Sequence, residues 1–200
     1  MIIGLTGQSG AGKSTVCEIL VRQESFAVID CDMVSRSVTV DGSLCNRELK
    51  TVFPKVIDDK LHLDRRALAG IVFGDKEKLG KLESIIYPYI TARINDLISQ
   101  YAANGYSFIV LDAPTLFEAG IDSFCDRILS VIADRNIRFG RIKHRDSISD
   151  ELINKRFDSQ KDERFFIEHS DFIINNDSDI EYTRQQTENI INRLREEANG

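Results

Sequence analysis

Gly7, Gly12, Lys13 and Ser14 are the residues whose types and spacing point most directly to chemistry. They sit in GLTGQSGAGKST, residues 4 to 15, and satisfy G-x-x-x-x-G-K-[ST] in full. Glycines at these places let the backbone wrap closely, so that successive N–H groups aim at phosphate oxygens. The positive end of the following helix adds to that field. Lys13 is placed to bridge β- and γ-phosphates and Ser14 to put its hydroxyl on Mg²⁺. Gly10, Ala11 and Thr15 complete the loop. The motif names a nucleoside triphosphate binder and leaves open what is done with the nucleotide. The N-K-x-D signature of common guanine-nucleotide switches is absent; DFIINND (171–177) lacks the Lys and the spacing.

Acids recur where an acceptor or a metal would need them. Asp30 and Asp32 end the run FAVIDCD as D-x-D, and two residues apart on a strand they share a face. Either could orient an acceptor hydroxyl and take its proton; a loose phosphoryl-transfer transition state asks more of positioning than of basicity. The competing reading makes Asp32 the N-cap of a helix starting near Met33. Asp112, after FIVL, has the look of a Walker-B-type acid that holds Mg²⁺ through water, or else caps the next turn. Residues 135 to 145, RNIRFGRIKHR, carry five basic side chains and no acid. Arg138, Arg141 and Arg145 fall at i, i+3 and i+7 along one helical face, with Arg156 and Arg164 further on. Such a cluster suits a lid that neutralises phosphate charge and excludes water; the alternative is a solvated helix face. His62, His144 and His169 have no metal-ligand spacing.

These residues need a scaffold. MIIGLT, FAVIDCD, SFIVLDAP (107–114), RILSVIAD (127–134) and DFIINN (171–176) are apolar runs of strand length, and most end in Asp or Asn. Helical spacing between them implies βαβ units and a parallel sheet, with ligands beyond the carboxyl ends of the strands. The expected fold is α/β: a five-stranded parallel sheet flanked by helices, in one domain over 1–200. Residues 33–106 are far more than one crossover helix needs. Their apolar positions, Leu68, Val72, Leu79, Leu82, Ile85 and Ile86, predict an inserted helical subdomain. A last amphipathic helix runs from about Ile180 to Glu197.

Composition bounds the rest. The 200 residues suit one domain with a real core. A net charge of −6 argues against a broad nucleic-acid footprint. Cys17, Cys31, Cys45 and Cys125 form no C-x-x-C pair and read as reduced thiols of a cytoplasmic protein. No signal peptide is visible and no apolar run reaches a membrane-spanning length.

The motifs resemble those of the dephospho-CoA kinase family over most of the chain. GLTGQSGAGKST is similar to its phosphate loop and VIDCDMVSR to its V-D-A-D…A-R segment. LDRRALAGIVFGD with LESIIYPYI, LDAPTLFE, RDSIS with KRFDSQ, and SDFIINND resemble further blocks in the family's order. Departures are Tyr87 where the family usually has His, Thr115 for Leu, Arg138 for Gln and Cys31 for Ala. The resemblance implies a P-loop kinase core, the 33–106 insert binding the CoA substrate, and a mobile arginine-rich lid over 136–168. It implies ATP and Mg²⁺ as cofactors, and transfer of the ATP γ-phosphate to the ribose 3'-hydroxyl of 3'-dephospho-CoA. Asp32, Lys13 and Arg141 would then be catalytic. Gly10, Ala11, Gly12, Lys13, Ser14, Thr15, Arg145, Arg156, Asn175 and Asn176 would meet ATP. Asp32, Arg36, Tyr87 and Glu118 would meet the acceptor, and Ser14 the Mg²⁺, with Asp112 or Asp30 through water. Neither nucleic acid nor membrane is implied as a partner, and a monomer is compatible with the residues. The residues by themselves equally suit another small-molecule kinase, for a nucleoside, a nucleotide or shikimate. A nucleotide-bound switch with slow hydrolysis is the rival of a different class.

Overall fold

The structure, a computed structural model, describes residues 1–72 and 74–199. Its sheet has the strand order β2-β3-β1-β4-β5, formed by β1 (Ile2–Gly7), β2 (Phe26–Asp30), β3 (Phe108–Asp112), β4 (Arg127–Ile132) and β5 (Phe172–Asn175). The strands run parallel. β1 lies at the centre, flanked by β3 and β4, because its residues tolerate burial on both faces: Ile3 and Leu5 are fully buried. Gly4 between them permits close approach from one side, since a Cβ there would lie 2.8 Å from Cys125 Sγ and 2.9 Å from Leu116. The chain leaves β1 for the far strand β2, returns through β3, and then crosses to β4 and β5. That reversal places a crevice at the carboxyl end of β1.

Two compact units make up the chain. The first comprises Met1–Val28 and Tyr101–Gly200. In it α1 (Lys13–Val21) and α9 (Ile180–Asn199) pack on each other and on the sheet. Val16, Leu20, Ile191 and Leu194 meet Leu5, Val110, Leu129 and Ile174 in one core. This unit also holds α6 (Arg135–Asp146), α7 (Asp150–Asp158) and α8 (Glu163–Glu168).

The second unit, Ile29–Gln100, contains α2 (Cys31–Val38), α3 (Leu44–Val52), α4 (Arg65–Val72) and most of α5 (Lys76–Ala103), which carries Pro88 in its interior. It has its own core of Cys45, Leu49, Phe53, Val56, Ile57, Leu63, Leu68 and Ile85. Asn46, fully buried, ties its turns together: Nδ2 lies 2.8 Å from the Leu61 carbonyl, 3.1 Å from that of Val40 and 3.2 Å from that of Thr39. Between α3 and α4 lie a short 3-10 turn, Pro54–Val56, and one antiparallel bridge, Ile57 to Leu63; the unit begins four residues before the expected 33–106 and ends six residues before its end.

Candidate active site

A shared local rule starts the helices, with one exception. Asp30, Ser43, Asp64, Asp75, Asp134, Ser149, Asp162 and Asp179 each accept a hydrogen bond from a first-turn N–H, opening α2 to α9 in turn. α1 is different. Its N-cap is Gly12, at φ 97°, with no side-chain cap. Thr15 N–H turns back onto Gly12 O at 3.0 Å, and with no side-chain cap the positive end of the helix is left uncompensated at an anion's position. The turn before it needs its glycines. Gly7 and Gly10 have φ of 146° and 80°. A Cβ on Gly7 would run into the Val131 carbonyl, and one on Gly10 would lie 2.9 Å from that of Arg138. Ala11 N–H closes the turn onto Gln8 O at 3.0 Å.

Ser14 is exposed at the start of α1. Lys13 Nζ is paired with Asp112 Oδ1 at the end of β3, both side chains being 17% exposed. Of the two roles open to Asp112, capping is not the one adopted; it holds the ammonium beside the loop. Among the described residues, no three His, Cys, Asp or Glu side chains gather as a metal site. Mg²⁺ needs no such cage, because it keeps several waters and takes substrate phosphates with one or two protein oxygens. The free hydroxyl of Ser14 and the carboxylate of Asp112 fit that manner of binding.

The arginine segment is not a single exposed face. Arg138 is only 6% exposed. Its Nε donates to Ala133 O at 2.9 Å, a second nitrogen lies 3.5 Å from Ser9 O, and its guanidinium sits 4.5 Å over the Phe157 ring. The apolar ring and the carbonyls explain how a guanidinium is tolerated there, and burial lowers its pKa. Arg141 reaches Gly10 O at 3.5 Å, Ala11 O at 3.4 Å and Asn176 O at 2.9 Å. Both arginines thus brace the back of the phosphate loop. Arg145 is bonded at 2.6 Å to Asp146, which also holds Arg156 at 2.6 Å. Asn176 is 6% exposed and donates from Nδ2 to Ala11 O at 2.7 Å. Asn175 accepts from Asp177 N–H at 2.9 Å. Glu118 is exposed in the turn after β3.

In the helical unit the D-x-D reading needs correction. β2 ends at Asp30, so Asp30 and Asp32 do not share a strand face. Asp30 is the cap, accepting from Met33 N–H at 2.8 Å. Asp32, not the cap, is exposed in the first turn of α2, and Arg36 is exposed one turn on. Among the described residues neither Asp32 nor the Arg36 guanidinium has a hydrogen-bond or ion-pair partner. Tyr87, on α5, donates its hydroxyl to Glu83 at 3.0 Å.

The comparisons with known proteins decide the family. The dephospho-CoA kinase (CoaE) family model matches residues 1–182. The chain belongs to the dephospho-CoA kinase family. Its members catalyse the final step of coenzyme A biosynthesis. A dephospho-CoA kinase of Fusobacterium nucleatum is 39% identical over 181 residues, covering 90% of this chain and 92% of that protein. One from Bacillus cereus is 33% identical, covering 96% of each. Among solved structures, TT1252 from Thermus thermophilus superposes with a TM-score of 0.84 at 29% identity, over 97% of both chains. The Campylobacter jejuni dephospho-CoA kinase gives 0.71 at 26%, over 96% of both. A shikimate kinase from Acinetobacter baumannii, at 14% identity and a TM-score of 0.55, over 98% of this chain and 93% of its own, shares the fold.

For this member of the dephospho-CoA kinase family, sequence reasoning missed the residues that shape the loop from behind. Thr183, which donates to Asn176 Oδ1 at 2.7 Å, gives no signal of its own inside an amphipathic helix. Gln160, which accepts from Ser9 N–H at 3.1 Å, was visible only as the last residue of KRFDSQ. Asp146 was visible only as the acid that ends the basic run.

Proposed function

We propose that this chain transfers the γ-phosphoryl group of ATP to the ribose 3'-hydroxyl of 3'-dephospho-CoA, giving ADP and coenzyme A. The observation that carries the reading is the intact phosphate loop, opening the one α-helix without a side-chain cap among the described residues, in a chain matched to the family over residues 1–182. Loop N–H groups and Lys13 hold the β- and γ-phosphates, and the ammonium offsets charge as the phosphoryl group moves. Ser14 and Asp112 would hold Mg²⁺, which would supply charge neutralisation on the phosphate oxygens. Asp32, exposed and free of internal partners, orients the acceptor hydroxyl and takes its proton. Arg36 and Tyr87 contact the acceptor, as does Glu118, and Arg145 and Arg156 face ATP. The net charge of −6 suits small-molecule partners over nucleic acid, and with none of its four cysteines in a disulfide we take the cytoplasm as its compartment.

The test is ADP release from MgATP with dephospho-CoA, shikimate or a nucleoside as acceptor, with the product checked for a new 3'-phosphate. Turnover confined to dephospho-CoA is expected. Turnover with a different acceptor would reassign the substrate. ADP release indifferent to every acceptor would favour a nucleotide switch.

A further inference from the structure

We propose that Asn176 and Thr183 are positioning residues for ATP, acting through the Ala11 carbonyl to set the direction of the Gly12 N–H. The proposal rests on the kinase reading above. Every polar atom of Asn176 is used. Its N–H donates to Ile132 O at 2.9 Å, continuing the sheet one residue past β5. Its carbonyl accepts from Arg141 at 2.9 Å. Its side-chain Oδ1 accepts from Thr183 Oγ1 at 2.7 Å, and its Nδ2 donates to Ala11 O at 2.7 Å; both bonds are buried. Thr183 is fully buried.

The consequence follows from peptide geometry. In a planar trans peptide the C=O of one residue and the N–H of the next point opposite ways. Drawing Ala11 O back onto Asn176 therefore turns the Gly12 N–H to the other face of the loop, the face a phosphate must use. Arg141, 3.4 Å from the same oxygen, pulls in the same direction. The amide could serve this end in only one orientation. Flipped, it would set Oδ1 against the Ala11 carbonyl, oxygen to oxygen. The Ala11 carbonyl, which can only accept, fixes the useful orientation, and the Thr183 hydroxyl supports it by donating to Oδ1 at 2.7 Å. Asn176 also explains Gly12, where a Cβ would run into Nδ2. An asparagine so enclosed recognises the loop rather than a nucleobase.

Two substitutions of nearly unchanged shape test this in the full chain. Asn176→Asp puts an acceptor where Ala11 O needs a donor. Thr183→Val removes the hydroxyl, and Thr183→Ser restores it. Losing a buried donor in this way is expected to raise the KM for ATP about tenfold in Asn176→Asp and about fivefold in Thr183→Val. The KM for dephospho-CoA should stay within about twofold of wild type, and Thr183→Ser should recover most of the ATP affinity. The double variant Asn176→Asp/Thr183→Val should be little worse than Asn176→Asp, because both break one chain of bonds. Should Asn176→Asp fail to fold, the Val and Ser pair still decides. An unchanged KM for ATP would overturn the proposal. So would parallel worsening of both substrates with a falling melting temperature, which marks a merely structural role. If no acceptor is phosphorylated by the wild type, the kinase reading fails instead; ATP affinity measured by calorimetry still tests the positioning role.

Discussion

Lys13 and Asp32 differ in what already surrounds them, and their substitutions should fail differently. The Lys13 ammonium has a carboxylate partner, so it is fixed beside the loop before any phosphate is considered. Lys13→Ala should lower kcat/KM by about 10³-fold, the usual cost of losing one preorganised charge on a transferring group. Steady-state assays over an ATP series would show it; near-normal turnover would remove Lys13 from the mechanism. Asp32 is exposed and, among the described residues, has no hydrogen-bond or ion-pair partner, so Asp32→Asn loses only its modest charge effect on the first turn of α2. Its kcat should fall by about 10² to 10⁴, with the KM for ATP and the melting temperature nearly unchanged. A parallel loss of ATP affinity would make Asp32 a nucleotide-site residue. At this scale the loop was legible because the spacing of Gly7, Gly12, Lys13 and Ser14 leaves little freedom. Arg138 was not legible: a periodic run of arginines looks the same whether its face meets water or, as here, ring and carbonyls. Asp30 and Asp32 share a face only if the strand runs through Asp32. It stops at Asp30, where the side chain caps the next helix.

At the scale of elements, α6 and α7 are joined through one acid. Asp146 ends α6 and bonds both Arg145 beside it and Arg156 on α7. Hydrogen bonds from Arg145 and then Arg156 hold its carboxyl well below the usual carboxylate range. The sign follows from linkage. A depressed carboxyl pKa adds stability above the unfolded value, about 3.9, and loses it as pH falls through the folded value. The clamp is therefore fully formed from about pH 5 upward. Asp146→Asn should leave the shape of the rate profile from about pH 5 to 9 unmoved. It should weaken ATP use severalfold if Arg156 needs its anchor, with little change in melting temperature, because ion pairs in contact with solvent contribute little net stability. A displaced pH profile would show that Asp146 titrates in the working range and would refute the assignment. The strands themselves were legible from short apolar runs, since a parallel strand buried on both faces can carry little else. α6 was legible as a helix from the spacing of its arginines, but its partners and those of the segment after it were not, because contacts such as Gln160 with Ser9 join residues remote in sequence.

The whole molecule divides so that the phosphate loop lies entirely in the unit Met1–Val28 with Tyr101–Gly200. The other unit has a separate core. A ligand that binds only the folded state stabilises what it binds, by about 2.7 kcal/mol at a hundred times its Kd. For a chain of this length that is a rise of about 5–10 °C. Calorimetry with MgATP should therefore show this rise in the transition that carries the sheet unit, and Lys13→Ala should abolish it. If the two units melt together, the whole transition moves. If they melt apart, only one does, and the unmoved one belongs to Ile29–Gln100. ATP raising the helical unit's transition alone would contradict the placement of the nucleotide at the phosphate loop. The division itself was legible as an overlong crossover, residues 33–106, but its edge was not. The unit begins at Ile29, inside β2, because the last residues of that strand and the cap at Asp30 pass directly into α2 with no intervening linker to mark the change.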